Sequence, residues 1–158
     1  MEVVGQQLGG FSLQGVGRTI TFNDYRGRRN LVIMLLAGEG REAWRSLLVE
    51  LANRYPEIRE LTAEVIAVFP DEDRARQPEV PFPVAWDPGG AFLRRYGLGP
   101  AGQQVSALLV TDRYGEVYQY DLFDPAAPSP QADQVLNTLL YIEKQCPECG
   151  APVWQAPG

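Results

Sequence analysis

The residues with the clearest chemical potential are two cysteines near the C-terminus. Cys146 and Cys149 are the only cysteines among 158 residues, and they stand three positions apart in the run Cys-Pro-Glu-Cys-Gly. Two thiols this close can form a disulfide, and dithiols with this spacing occur in oxidoreductases. We therefore interpret Cys146 and Cys149 as the candidate catalytic residues, with Cys146 as the predicted attacking thiol because Pro147 fixes the turn beside it.

The same motif has a second chemical use as a metal-binding turn. Such a turn points both sulfurs the same way, and the glycine that follows lets the backbone bend around a metal ion. A closed tetrahedral zinc site needs four ligands, whereas Cys146 and Cys149 supply two. Zinc would therefore have to be shared between two chains, which predicts a homodimer. A tail with no chemistry is the third interpretation, and all three stay open.

Composition excludes several other chemistries and one class of partner. The chain has no histidine, which removes Ser-His-Asp and Cys-His relays as well as mixed Cys/His metal sites. Its 14 basic and 20 acidic residues give a net charge of −6, and the only basic cluster is Arg26, Arg28 and Arg29. Nucleic acid is therefore not an expected partner. A dithiol would instead be expected to meet a thiol-redox protein.

Two further features bear on the compartment. No stretch approaches 18 consecutive apolar residues, and residues 1–5 lack the basic region and apolar run of a signal peptide. We therefore expect a cytoplasmic protein that does not bind a membrane. In a reducing compartment, the cysteine pair would be kept as thiols or as metal ligands.

The first half of the chain has the pattern of a hairpin followed by a strand-helix-strand unit. Short apolar runs in residues 11–22, separated by a glycine-rich turn, predict an N-terminal β-hairpin. The unbroken apolar run 31–37 predicts the central buried strand, and residues 41–55 repeat apolar side chains at helical spacing until Pro56. A second buried strand at 63–69 completes a predicted parallel βαβ unit.

The second half predicts an antiparallel hairpin and a final helix. Residues 91–96 form a predicted short helix, and strands at 105–111 and 116–123 are joined by a tight turn. For the last helix, Ser129 is the predicted cap and Pro130 the first helical residue. Its predicted core face comprises Val135, Leu136, Leu139, Leu140 and Ile142. The helix should end at the cysteines, which divides the chain into a domain, 1–145, and a tail, 146–158.

This order of elements resembles the thioredoxin fold, an α/β fold whose central mixed β-sheet is flanked by helices. Residues 11–13 with 18–30 look like the entry signature of the alkyl hydroperoxide reductase / thiol-specific antioxidant family, the peroxiredoxins and redoxins. Residues 82–98 resemble that family's Asp-Pro-x-Gly stretch, and 108–115 resemble its strand ending in an aspartate and a glycine turn. The resemblance spans residues 5–145, and the order of the motifs makes a chance match improbable.

The resemblance implies a reactive cysteine in residues 38–43, where the start of a helix would lower a thiol pKa. The sequence has no cysteine there, and Glu39 and Glu42 are expected to cap the helix and be solvated. The family's peroxide-polarising arginine aligns near Val105 or Ser106, neither of which can replace it. The resemblance therefore implies an antioxidant or thiol-disulfide oxidoreductase role limited to the C-terminal dithiol, without the family's peroxidase mechanism. The alternative is a non-catalytic binding or dimerisation module, in which the cysteine pair is a structural disulfide or a shared metal site.

The charges near the cysteines differ from those of a usual thiolate site. The pair follows a helix C-terminus, where the dipole is negative, and lies near Glu143 and Glu148 with only Lys144 to offset them. We therefore expect the thiolate form to be disfavoured.

Overall fold

The chain forms a seven-stranded sheet with helices on its faces. The structure is a computed structural model that describes residues 2–145, so Cys146, Cys149 and the rest of the tail lie outside the described residues, and the division at residue 145 stays a prediction. The strands are β1 (Ser12–Gly15), β2 (Arg18–Thr21), β3 (Asn30–Leu35), β4 (Ala63–Phe69), β5 (Val84–Trp86), β6 (Ala107–Thr111) and β7 (Val117–Leu122).

The sheet has a parallel and an antiparallel part, in the strand order β2-β1-β5-β4-β3-β6-β7. Strands β3, β4 and β5 run parallel, while β6 and β7 continue the sheet antiparallel beside β3, and the β1-β2 hairpin joins β5 antiparallel. The predicted mixed sheet, N-terminal hairpin and parallel βαβ unit are confirmed. The middle strand is β4, one place away from β3, which the sequence predicted to be central.

Both faces of the sheet are buried, because β3 and β4 are apolar at every position except Asn30 and Glu64. Successive side chains of a strand point to opposite faces. Val32, Met34 and the following Leu36 therefore belong to the apolar core under the first helix and the last one. Leu31, Ile33 and Leu35 belong to a second core, which the N-terminal hairpin and a short helix cover.

Five helices pack around this sheet, together with a short 3-10 helix at Phe22–Asp24. The helices are α1 (Arg45–Asn53), α2 (Tyr55–Glu60), α3 (Glu72–Ala75), α4 (Ala91–Tyr96) and α5 (Ala132–Lys144). The helix predicted at 91–96 is confirmed, and α5 ends at Lys144, immediately before the tail.

Three helix predictions were wrong in detail. Pro56 does not end the helical region but lies in the first turn of α2, where a proline removes no needed N–H donor. Helix α5 is capped by Gln131 rather than Ser129, so Pro130 precedes it; the Gln134 side chain accepts a 2.8 Å hydrogen bond from the Gln131 N–H. Leu140, predicted to face the core, is 43% exposed.

Candidate functional site

The loop after β3 lies directly against the segment that enters β6. The Glu39 N–H donates to the Gln104 carbonyl at 3.0 Å, and the Glu39 carbonyl accepts from the Ser106 N–H at 2.8 Å. Gly38 has a left-handed φ of +63°, and a Cβ there would lie 2.1 Å from the Gln104 carbonyl oxygen. Only glycine permits this approach, so the conformation of the loop is set by contact between two backbones.

Aromatic side chains close the next part of the same loop. Gly40 has a φ of +89°, and a Cβ there would lie 2.2 Å from the Phe123 ring. Trp44 is buried and meets Phe123 edge to face, with ring centroids 6.4 Å apart. The backbone N–H of Trp44 donates to the Gly40 carbonyl at 2.9 Å. In the region where the family resemblance implied a thiol, the Gly38 and Gly40 positions therefore have no room for a side chain.

The two glutamates of this loop do not cap a helix, which corrects the prediction made for them. Helix α1 begins at Arg45 rather than Arg41, and its N-cap residue, Trp44, makes no side-chain capping bond. Glu42 is exposed and pairs with the Arg45 guanidinium at 3.4 Å. Glu39 is also exposed, which agrees with the predicted solvation of both carboxylates.

Val105 and Ser106, which align with the family's arginine, lie beside the loop. Ser106 is fully buried, and its hydroxyl donates to the Ala37 carbonyl at 3.3 Å. Its backbone also pairs with Glu39 and, on the other side, accepts from the Phe123 N–H at 2.8 Å. No peptide bond within residues 2–145 is cis. Ser106 therefore serves to hold the loop and β6 together.

At the opposite end of β3, a half-buried polar network holds the last turn of α5. The Glu143 carboxylate accepts from the Asn30 side-chain amide at 2.8 Å and from the Thr62 hydroxyl at 3.2 Å. It also pairs with Arg113 at 3.1 Å. The expectation that only Lys144 offsets Glu143 and Glu148 is therefore wrong for Glu143, which Arg113 neutralises, whereas Glu148 lies outside the described residues.

The position of this network shows how far the last described residue lies from the loop after β3. Asn30 is the first residue of β3, and Gly38 follows the end of that strand. At about 3.3 Å per residue, a six-residue strand separates the two regions by roughly 16 to 20 Å. Gln145, the last described residue, follows Glu143 at the amino end of β3, whereas the loop lies at the carboxyl end.

An acidic turn lies near the same network, at the tip of the β6-β7 hairpin. Asp112 accepts hydrogen bonds from the Tyr114 and Glu116 N–H groups, both at 2.9 Å. Burial raises the pKa of Glu116, and the neighbouring Asp112 charge raises it further. Positive side chains lie here as well, because Arg113 belongs to the same turn and Arg28 and Arg29 directly precede Asn30, so the amino end of β3 carries charges of both signs.

The described residues contain neither a metal cluster nor a membrane-spanning element. Across residues 2–145, no three Asp or Glu side chains come close enough together to hold a metal ion. Among the helices of this same range, none is long and apolar enough to cross a membrane. A metal site would therefore depend on Cys146 and Cys149, whose predicted roles no described residue tests.

Solved structures resemble this arrangement of strands and helices. The reduced 2-Cys peroxiredoxin of Plasmodium vivax superimposes with a TM-score of 0.75 at 14% identity, over 90% of this chain and 83% of that one. The AhpC of Enterococcus faecalis gives a TM-score of 0.70 at 19% identity, over 99% of this chain and 100% of that one. At such identities the likeness shows the fold alone, and it confirms the predicted thioredoxin-like α/β class.

Sequence comparison extends the likeness from fold to family. No curated protein sequence matches the chain. The family model of the AhpC/TSA family, however, matches residues 4–120. That match covers more than half of the 158 residues and includes the loop after β3, Ser106 and most of β7. The chain therefore belongs to the AhpC/TSA family, as the motifs in its sequence indicated.

Proposed function

We propose that this protein is a thiol-dependent oxidoreductase with an antioxidant role, whose thiol chemistry is limited to Cys146 and Cys149. One observation carries the proposal: a chain of the AhpC/TSA family has all of its cysteine sulfur in one Cys-x-x-Cys motif. The loop after β3 has no cysteine in residues 38–43, so redox chemistry in this chain needs the C-terminal pair.

The reaction is a two-electron oxidation of the dithiol by a hydroperoxide. The Cys146 thiolate attacks one peroxide oxygen, the O–O bond breaks, and the leaving oxygen departs as an alcohol or water after taking a proton. Cys146 is then a sulfenic acid, and the Cys149 thiol displaces water from it to form the S–S bond. A reduced dithiol protein returns the two electrons by thiol-disulfide exchange, which makes such a protein the proposed partner.

The end of α5 supports this proposal by its order and its charge. Glu143 is fixed by Asn30, Thr62 and Arg113, so the helix is held rigidly up to the last described turn. Arg113 also offsets the carboxylate that stands three residues before Cys146. Because the negative end of the helix dipole remains, we expect the thiolate to be a minor form, so both peroxide attack and thiol-disulfide exchange should be slow.

Counting thiols after oxidation tests the proposal. The fully reduced full-length protein is incubated with hydrogen peroxide or, separately, with an oxidised thioredoxin, and free thiols are titrated over time. We expect both thiols to be lost together, with a mass decrease of two hydrogens per chain. An unchanged thiol count under both oxidants would contradict the proposal.

Single-cysteine variants assign the order of attack. In C149S, oxidation by peroxide should stop at a sulfenic acid on Cys146, which dimedone captures. The matched C146S variant should give much less adduct, because its remaining thiol is the predicted resolving residue. Equal dimedone labelling of both variants would remove the distinction between the two roles.

A second candidate function is a non-catalytic binding or dimerisation module, and the packing of the loop favours it. Gly38 and Gly40 lie against Gln104 and Phe123, so neither of these two positions has room for a reactive side chain. In this alternative, Cys146 and Cys149 form a structural disulfide or supply half of a zinc site shared by two chains.

Metal content and size separate this module from the enzyme. Protein purified under reducing conditions is analysed for zinc and run on a sizing column, beside the C146S/C149S double variant. One zinc per two chains, with a dimer lost in the double variant, would support the module. A metal-free monomer with thiol turnover would support the oxidoreductase, and the reducing cytoplasm suits a redox dithiol or a zinc site better than a structural disulfide.

A further inference from the structure

A cavity of about 260 Å³ opens beside the loop, between α1 and α3 at the carboxyl ends of β3 and β4. Three arginines from three different segments line it: Arg41 from the loop, Arg45 from the first turn of α1, and Arg74 from α3. Glu42 is the only carboxylate in the wall. Glu39, on the same loop, pairs through its backbone with the strand on the other side and does not line the cavity.

Two of the three arginines already have partners. Arg45 pairs with Glu42 at 3.4 Å, a long contact between exposed side chains that leaves most guanidinium donors free. Arg74 pairs with Asp71, which stands outside the cavity wall and accepts from the Arg74 N–H at 2.9 Å. That N–H, with the nearby charges of Arg74 and then Arg41, holds the pKa of Asp71 below its usual value, so Asp71 is ionised.

Arg41 is the unmatched charge of this group. It is half-buried in the wall of the cavity, yet its guanidinium makes neither an ion pair nor a hydrogen bond with any residue in the range 2–145. Glu42 and Asp71 are taken by Arg45 and Arg74, so Arg41 is the one arginine of the wall without a carboxylate partner among residues 2–145.

Apolar side chains form the floor of the cavity, although each exposes little surface and most of the wall is polar. Leu36, Leu48 and Phe69 contribute their surfaces from the core beneath the sheet face, and Pro78 adds a further apolar edge. The volume lies slightly below the range of about 300 to 1,000 Å³ that suits drug-sized ligands. The space therefore suits a small molecule with one negative group and a short hydrocarbon part.

The geometry points to a binding site for a small aliphatic carboxylate, with its carboxyl group on Arg41 and its hydrocarbon chain against Leu36, Leu48 and Phe69. A guanidinium presents paired donors that match the two oxygens of a carboxylate. A single unmatched charge above an apolar floor favours such a monoanion over inorganic phosphate, which carries more charge and has no apolar part. This site is separate from the proposed dithiol chemistry.

The test is a titration of the isotope-labelled full-length protein with sodium hexanoate, followed through backbone amide signals. We expect saturable shifts confined to residues 36–48 and 69–78. Affinity should fall from hexanoate to butyrate to acetate, by up to roughly fourfold for each methylene removed. Hexylammonium, which has the same chain and the opposite charge, should not bind, and phosphate should bind more weakly than hexanoate.

Matched charge variants assign the carboxyl contact to Arg41. Arg41→Gln should weaken hexanoate binding roughly tenfold or more, because a charge-assisted hydrogen bond is lost. Arg28→Gln removes an equal charge from an exposed turn outside the cavity and should change the affinity by less than about twofold. Thermal unfolding of both variants checks that each one folds.

Several results would overturn the assignment. These are no saturable shift with hexanoate, equal weakening by Arg41→Gln and Arg28→Gln, or affinity that does not depend on chain length. Binding should be unchanged in the C146S/C149S variant. The carboxylate site and the dithiol function can therefore fail independently.

Discussion

The two ends of β3 differ in what they hold and in how they hold it. At the carboxyl end, a loop with two left-handed glycines is fixed by backbone contacts and by an aromatic pair, and three arginines line the cavity beside it. At the amino end, the half-buried Glu143 carboxylate accepts hydrogen bonds from Asn30, Thr62 and Arg113. The hairpin turn that contains Asp112 and Glu116 lies nearby. Helix α5 ends at this second end of β3.

The carboxyl end of β3 is where the family resemblance implied a reactive cysteine, but the only two cysteines of this chain come after α5 in the sequence. In the described residues, the carboxyl end of β3, where three arginines line a cavity and α1 begins, has no cysteine, although nearby cations and a helix start are conditions that stabilise a thiolate. In the sequence, the two cysteines come after α5 and Gln145, and the C-terminus of α5 lies at the amino end of β3.

The largest effect should come from Gly38→Ala at the carboxyl end. A Cβ at this residue would meet the Gln104 carbonyl oxygen at 2.1 Å, and neither backbone can move without breaking the pairing of Glu39 with Ser106. The variant would combine the cost of a left-handed alanine with the cost of overpacking. We therefore expect the free energy of unfolding to fall by roughly 3 to 5 kcal/mol. Urea denaturation measures this loss.

Gly17→Ala is the matched control for that substitution. Gly17 has a similar φ of +77°, but a Cβ there has no neighbour within 4 Å. Its loss should be limited to backbone strain, about 1 to 2 kcal/mol. Equal losses for the two variants would show that the loop is not held by close backbone contact.

The next largest effect should come from Glu143→Ala at the amino end. This change leaves the Asn30 amide, the Thr62 hydroxyl and the Arg113 guanidinium without their shared acceptor. We expect a loss of roughly 2 kcal/mol in urea denaturation, because the groups are half-buried and one of them is charged.

Two further variants separate the charge of Glu143 from a general effect at the end of α5. Glu143→Gln keeps an acceptor oxygen but not the charge, so it should lose about half as much. Lys144→Ala, at an exposed position one residue later, should change stability by less than about 0.5 kcal/mol. A loss for Lys144→Ala as large as that for Glu143→Ala would assign the effect to the helix end rather than to the network.

A smaller effect is expected from Ser106→Ala at the carboxyl end. The substitution removes a single 3.3 Å hydrogen bond to the Ala37 carbonyl, and its backbone bonds to Glu39 and Phe123 remain. We expect a loss of about 1 kcal/mol in thermal or urea unfolding. Thiol oxidation should keep its wild-type rate; a slower rate would instead tie Ser106 to the chemistry of the cysteines.

The sequence was most informative where one local pattern decides the structure. The apolar runs at 31–37 and 63–69 predicted β3 and β4 closely, because a strand buried on both faces must be apolar throughout. It was least informative at helix boundaries. Residues 41–44 form turns, and the buried Trp44 stands at helical spacing from Leu47 and Leu48, so the apolar period began before α1.

The contacts that build the two ends could not be predicted from spacing. Asn30 and Glu143 are 113 residues apart, and their hydrogen bond depends on how α5 packs against the sheet. The arginine cavity likewise combines Arg41, Arg45 and Arg74 through the meeting of a loop and two helices. A polar Asn30 at the head of an otherwise apolar strand was the one local signal that a buried partner existed.

The smallest expected effect, from Glu116→Gln, is a gain in stability that depends on pH. Burial, together with the charge of Asp112, raises the pKa of Glu116 in the folded state, so the folded state holds its proton more tightly than the unfolded state does. Wild-type stability should therefore fall as pH rises from the unfolded pKa through the raised folded pKa, and the cost is fully present at neutral pH. Glutamine cannot ionise, so the variant should be more stable at pH 7 by under about 0.5 kcal/mol, and it should match the wild type below pH 4 or so. Thermal unfolding of both proteins across this pH range measures the difference. A gain that persists unchanged at low pH would mean that the shape of the side chain is responsible, and not the charge of Glu116 beside Asp112.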